Sequence, residues 1–175
     1  MSRMEPESPR GESGRVSVSV PATVYPYTAG LIGGAFGGMA MVVVALVYGL
    51  INGSVWLPVN LIGAALVRDL QGASLGTLSQ FNFAALMAGL ALHTVLSVGL
   101  GLIFALLLPT MPGPPIVWSL TVGPLLWGLA GLITLPIIDP VMEQYVDKPS
   151  FFVAHLVYGL VLGWWVSRTP RIRVE

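Results

Sequence analysis

Cysteine is absent from the 175 residues, which excludes disulfides, thiolate metal sites and a cysteine nucleophile. Charge is scarce as well. Asp, Glu, Lys and Arg together make up 9% of the chain, against about 25% in ordinary globular proteins. Acidic and basic residues balance at eight each, so no basic surface points to nucleic acid as a partner. Between Val16 and Ile138 the only charged side chains are the neighbours Arg68 and Asp69. A soluble fold of this length would not stay dispersed with so little charged surface. The opening stretch "MSRMEPESPRGESGR" mixes three arginines with three glutamates and has no apolar core, so it is not a cleavable signal peptide. The first spanning helix is then expected to act as the targeting signal.

What is present is apolar sequence, 55% of the chain. A helix that crosses a bilayer needs roughly 20 such residues in a row. Four segments qualify, at about 29–51, 83–108, 116–138 and 151–167. Free backbone groups have no partner in lipid, so each must be a helix. The predicted fold is an all-α integral membrane protein with four transmembrane helices. A polar arm (1–25) precedes the transmembrane domain (26–168), and a basic tail (169–175) follows it. Within the arm, "RVSVSVP" alternates apolar and polar residues, as a strand laid along a partner would. Between the first two spans, about 58–70 reads as a short interfacial or re-entrant helix with Pro58 in its first turn. "QGASLGTLSQ" then reads as a polar linker. "PTMPGPP", with four prolines in seven residues, is a stiff link expected to place the second and third spans side by side. Pro124 and Pro136 should kink or end the third span.

Positive charge sets the topology. Arg3, Arg10, Arg15, Arg168, Arg171 and Arg173 fall on one side of a four-span chain, and only Arg68 and Lys148 on the other. Six against two predicts that both termini lie in the cytoplasm. Tyr25, Tyr27, Trp56, Trp164 and Trp165 sit where interfacial belts would lie.

The densest small-residue pattern lies in the first span. Gly30, Gly34 and Gly38 form one row and Gly33 and Gly37 a second, while Gly159 and Gly163 repeat the four-residue spacing in the fourth span. Such rows let helices approach closely in lipid, within the chain or across to another subunit. His93 and His155 are the ionisable side chains inside spans, and an intramembrane ionisable group is a functional hypothesis by default. Two histidines on two helices suit haem b; the plainer reading is a neutral ring bonded to a neighbouring helix or to a hydroxyl such as Ser97. Asp139, Glu143 and Asp147 recur every four residues, so on one helix they would form an outward acidic face. That face would suit a periplasmic electron carrier such as a cytochrome c, or simply cap the bundle in water. "GASLG" matches the nucleophile-elbow pattern around Ser74, but lacks the strand, turn and helix that pattern requires. Arg68 and Asp69 read as headgroup contacts. No cluster with metal-ligand spacing is present.

Trp56, Pro58, Asn60 and Leu61, the proline-rich link, Leu126–Trp127, Asp139-Pro140-Val141 and a glycine-rich last helix together cover about residues 29–168. In this outline the chain resembles small four-span bacterial inner-membrane proteins. The resemblance implies company with respiratory-chain proteins and no catalytic residue of its own. The expected function is a non-catalytic accessory subunit of an inner-membrane complex, respiratory or otherwise electron-transferring, with larger membrane subunits and lipids as partners. It would not be an enzyme as an isolated chain. The alternatives are a haem b- or quinone-binding protein using His93 and His155, or a small transporter or lipid carrier.

Overall fold

The computed structural model describes residues 23–173. The polar arm up to residue 22, including "RVSVSVP", and the last two residues of the tail lie outside that range. Among the described residues, four helices are long and apolar enough to cross a membrane. The first, α1 (Tyr27–Ile51), starts directly after Pro26 and ends where Gly53 turns the chain with φ +92°, a backbone that favours glycine. A short helix α2 (Trp56–Ala64) follows, then a 3₁₀ turn (Arg68–Gly72) and a single turn α3 (Leu75–Leu78). The second long helix, α4 (Phe83–Leu107), is opened by the Asn82 side chain, which accepts from the Ala85 N–H at 3.0 Å and so satisfies one of the free donors of the first turn.

The third long segment is composite. It comprises α5 (Pro115–Leu129), a π turn (Ala130–Thr134) and α6 (Leu135–Ile138). Pro136 explains the wide turn: it has no N–H to give and its ring crowds the preceding turn. Pro124 stays inside α5 without ending it. A corner helix, α7 (Pro140–Tyr145), leads into the fourth long helix, α8 (Lys148–Arg168), which is capped by Asp147. Two-residue strands β1 (Thr23–Val24) and β2 (Ile172–Arg173) pair antiparallel beside the ends of the bundle.

Helix α1 packs closely on both α4 and α8, α8 packs also on α5, and α4 packs also on α2. The expectation that α4 and α5 lie side by side is met through bulky side chains, while the close backbone contacts run to other helices. The segment allows α4 and α5 to be neighbours, yet each turns its small residues to a different helix. Ser97, Gly101 and Ala105 of α4 meet α1, and Ser119 and Gly123 of α5 meet α8. Between α4 and α5 the interior is filled by bulk: Phe104 and Leu108 share one apolar cluster with Trp118, Val122 and Leu126, together with Tyr158 and Leu162 of α8.

A second cluster forms a cap at one end, from Leu61 and Ala64 of α2, Leu70, Leu78, Ala85, Leu135, Val141 and Met142. The segment read as a polar linker is therefore part of a packed unit, with Leu78 fully buried. The interfacial helix also ends sooner than expected, at Ala64, and Arg68 belongs to the next turn. Outside, the long helices present large apolar side chains. Leu132 is 82% exposed, Ile51 77% and Leu50 72%, which is compatible with a multi-pass membrane protein.

Candidate functional site

The glycine rows all find partners inside the chain. A methyl group added at Gly30 or Gly34 would strike the α4 backbone at Gly101 and Ser97, and at Gly38 it would come 2.7 Å from the Ser97 side chain. The second row faces α8: a methyl at Gly37 would stand 2.8 Å from the Tyr158 ring, and one at Gly33 3.0 Å from Leu162. Gly159 and Gly163 receive Ser119 of α5, and Gly123 receives the backbone of His155. The GxxxG rows are internal seams, and Gly30, Gly34, Gly38, Gly159 and Gly163 are not available to another subunit.

Three helices converge on the Ser97 carbonyl. The Tyr158 hydroxyl donates to it at 2.7 Å from α8, and Gly34 of α1 lies against it. One turn earlier on α4, His93 Nε2–H donates to the Gly38 carbonyl at 3.0 Å and lies 3.4 Å from the Ser97 hydroxyl. His93 is thus an interhelical hydrogen-bonding residue. His155 behaves otherwise. Its Nδ1–H donates at 2.8 Å to Phe151 on its own helix, and its ring stands edge-on to Phe151 at 4.4 Å between centroids. Its backbone lies against Gly123 of α5, and the residue is buried. Between α4 and α8, next to these two rings, the Tyr158 side chain bridges the helices. Among the described residues, Nδ1 of His93 and Nε2 of His155 have no hydrogen-bond partner.

The second polar group lies in the cap. Asn60, fully buried on α2, donates through Nδ2 to the carbonyls of Leu78 at 2.8 Å and Gln80 at 2.6 Å. Gln71 Nε2 donates to the Ala64 carbonyl at 2.9 Å and to Asp139 Oδ1 at 2.8 Å, and Gln71 Oε1 accepts from the Val141 N–H at 3.3 Å. The Arg68 guanidinium donates to the Ile138 carbonyl at 2.7 Å, satisfying the end of α6. Arg68 is therefore a helix cap here, and Ser74 is another, its hydroxyl accepting from the Thr77 N–H.

Asp139 is only 2% exposed. Its Oδ1 also accepts from the Met142 N–H at 3.2 Å, opening α7, while Oδ2 has no partner among the described residues, as is true of Asn60 Oδ1. Burial pushes the Asp139 carboxyl above the usual range, against the lowering pull of Gln71, Met142 and Arg68. The predicted acidic face is thereby corrected. Asp139 points inward, Glu143 pairs with Lys148 at 3.1 Å, and Asp147 caps α8 through the Ser150 N–H at 2.8 Å. A break between α7 and α8 separates the last of the three, so the spacing does not make one helical face.

Sequence reading missed Gln71 and Tyr158. Tyr158 carried a signal, a polar tip within an otherwise apolar run. Gln71 carried none, because its importance comes from a residue 68 positions away. The chain matches no family model, no curated protein and no solved structure. The functional reading rests on its own residues.

Proposed function

We propose that the chain is a multi-pass protein of the bacterial inner membrane, with cytoplasmic termini, that serves as a non-catalytic accessory subunit of a larger complex. The observation that carries this is how the polar side chains within the helical body are spent. His93, Tyr158, Asn60, Gln71 and Asp139 each hold one segment to another, or an end to its cap. The outer faces of the long helices are left to large apolar side chains. A body of this kind fills space between larger subunits and orders lipid. The respiratory setting comes from the resemblance in outline described above.

Because the glycine seams are internal, partners would meet the outer faces. One candidate is the α4 face around Val95, Leu96 and Gly99, where no atom stands within 4 Å of the place a glycine side chain would occupy. The test is extraction of the tagged chain from native membranes in mild detergent, with particle mass, companion identity and one visible spectrum recorded. Stoichiometric recovery with larger redox subunits is the expected result. Recovery alone, as a monomer or homo-oligomer, overturns it, and a Soret band on the isolated chain would return the function to His93 and His155.

A further inference from the structure

Most of the glycines in the long helices are pressed against a neighbouring helix, but Gly128 and Gly131 face open space. They form the floor of a crevice of about 130 Å³, walled by Trp127, Leu135 and Phe151, with Glu143 and Lys148 also in its lining. The volume is close to the roughly 150 Å³ of an apolar cavity that stays dry and takes up benzene. Glycine within a helix costs about 1 kcal/mol relative to alanine, and here no packing among the described residues offsets that cost.

The backbone beside the crevice is also incomplete. In the π turn the Leu135 N–H is given to the Ala130 carbonyl. The next donor along would be residue 136, which is proline and has none. The Gly131 carbonyl therefore accepts from neither Leu135 nor residue 136, at the point where the crevice leaves the helix uncovered.

We propose that this crevice is a lipid site that seats a short segment of one acyl chain of a phospholipid whose headgroup bears a primary ammonium beside its phosphate. This rests on the membrane reading above. The apolar walls suit the chain, and the glycine floor gives it depth. The charges select the headgroup. Glu143 and Lys148 stand 3.1 Å apart with opposite signs, so an ammonium can donate to the carboxylate while the phosphate accepts from the lysine. A purely anionic headgroup would meet Glu143 unfavourably, and a quaternary choline has no N–H to donate.

The test uses the purified full chain in mild detergent, stripped of lipid and then offered phosphatidylethanolamine, phosphatidylcholine or phosphatidylglycerol with identical acyl chains, read by native mass spectrometry. One phosphatidylethanolamine per chain is expected, preferred about threefold over the other two, the scale of partly exposed charge pairs. Gly131→Leu, which meets open space, should fill the crevice and abolish retention while helicity by circular dichroism is kept. Should that variant misfold, Glu143→Gln serves instead and should level the three lipids. Equal retention of the three by the unaltered chain, an unchanged preference in either folded variant, or retention of a quinol in place of phospholipid overturns the site. Failure of the membrane reading is separately visible, as recovery of the chain from the soluble fraction without detergent.

Discussion

At Asp139 a carboxyl has lost nearly all its water and gained two donors on a single oxygen. Its folded-state pKa is raised above the ordinary 3.8, chiefly by burial. An acid whose pKa rises on folding contributes stability that is fully present below the unfolded value and is lost as pH climbs through the folded one. Thermal unfolding in detergent should therefore show the wild type losing stability across that window, and Asp139→Asn, neutral at every pH, should flatten the profile. A profile unchanged by the substitution would contradict the assignment. Asp139→Leu removes the acceptor for Gln71 and the Met142 N–H and should cost about 1–3 kcal/mol, the usual penalty for stranded buried donors. Tyr158→Phe is a milder change. It leaves the ring on Gly37 and deletes one interhelical bond, worth about 0.6 kcal/mol inside membrane proteins.

Among the helices, closeness is decided by glycine. Gly34 lies on the α4 backbone, so Gly34→Leu must push α1 away from α4 and should lower the unfolding free energy by about 1–3 kcal/mol. This effect belongs to the chain itself and should appear in the isolated protein, whether or not a larger complex forms. Gly99→Leu on the same helix pair meets nothing within 4 Å and should change stability by no more than about 0.5 kcal/mol. Equal losses for the two variants would refute the internal seam. The π turn follows the same logic at the level of backbone bonding, since Pro136 withdraws a donor and the helix widens to accommodate its ring.

For the molecule as a whole, the absence of cysteine makes single-cysteine labelling clean. Asn52 and Thr110 are both exposed, Asn52 in the turn after α1 and Thr110 at the end of the 3₁₀ turn that follows α4. With the termini in the cytoplasm, Asn52→Cys should react with an impermeant maleimide in intact cells, and Thr110→Cys only after lysis. The opposite pattern would invert the proposed topology, and labelling of both in intact cells would remove it.

Sequence alone determined the number of long helices and their approximate extents. Length and apolarity are local properties, though α8 starts at Lys148, ahead of the apolar run from about 151, because Asp147 caps it. It also showed which helix faces are small, because a four-residue spacing is read along a single element. It could not say what those faces meet. A spacing reports a surface and carries no information about the partner, so the contact of α4 with α1, and of α5 with α8, was decided only when all four helices packed at once. The acidic row failed for the same reason. The periodicity of Asp139, Glu143 and Asp147 presumed one helix, and a turn between α7 and α8 gave each residue its own task. The burial of Asp139 lies beyond any local reading. It exists because Gln71 and Arg68, from the other side of a long helix hairpin, close over the end of α6 and exclude water from it.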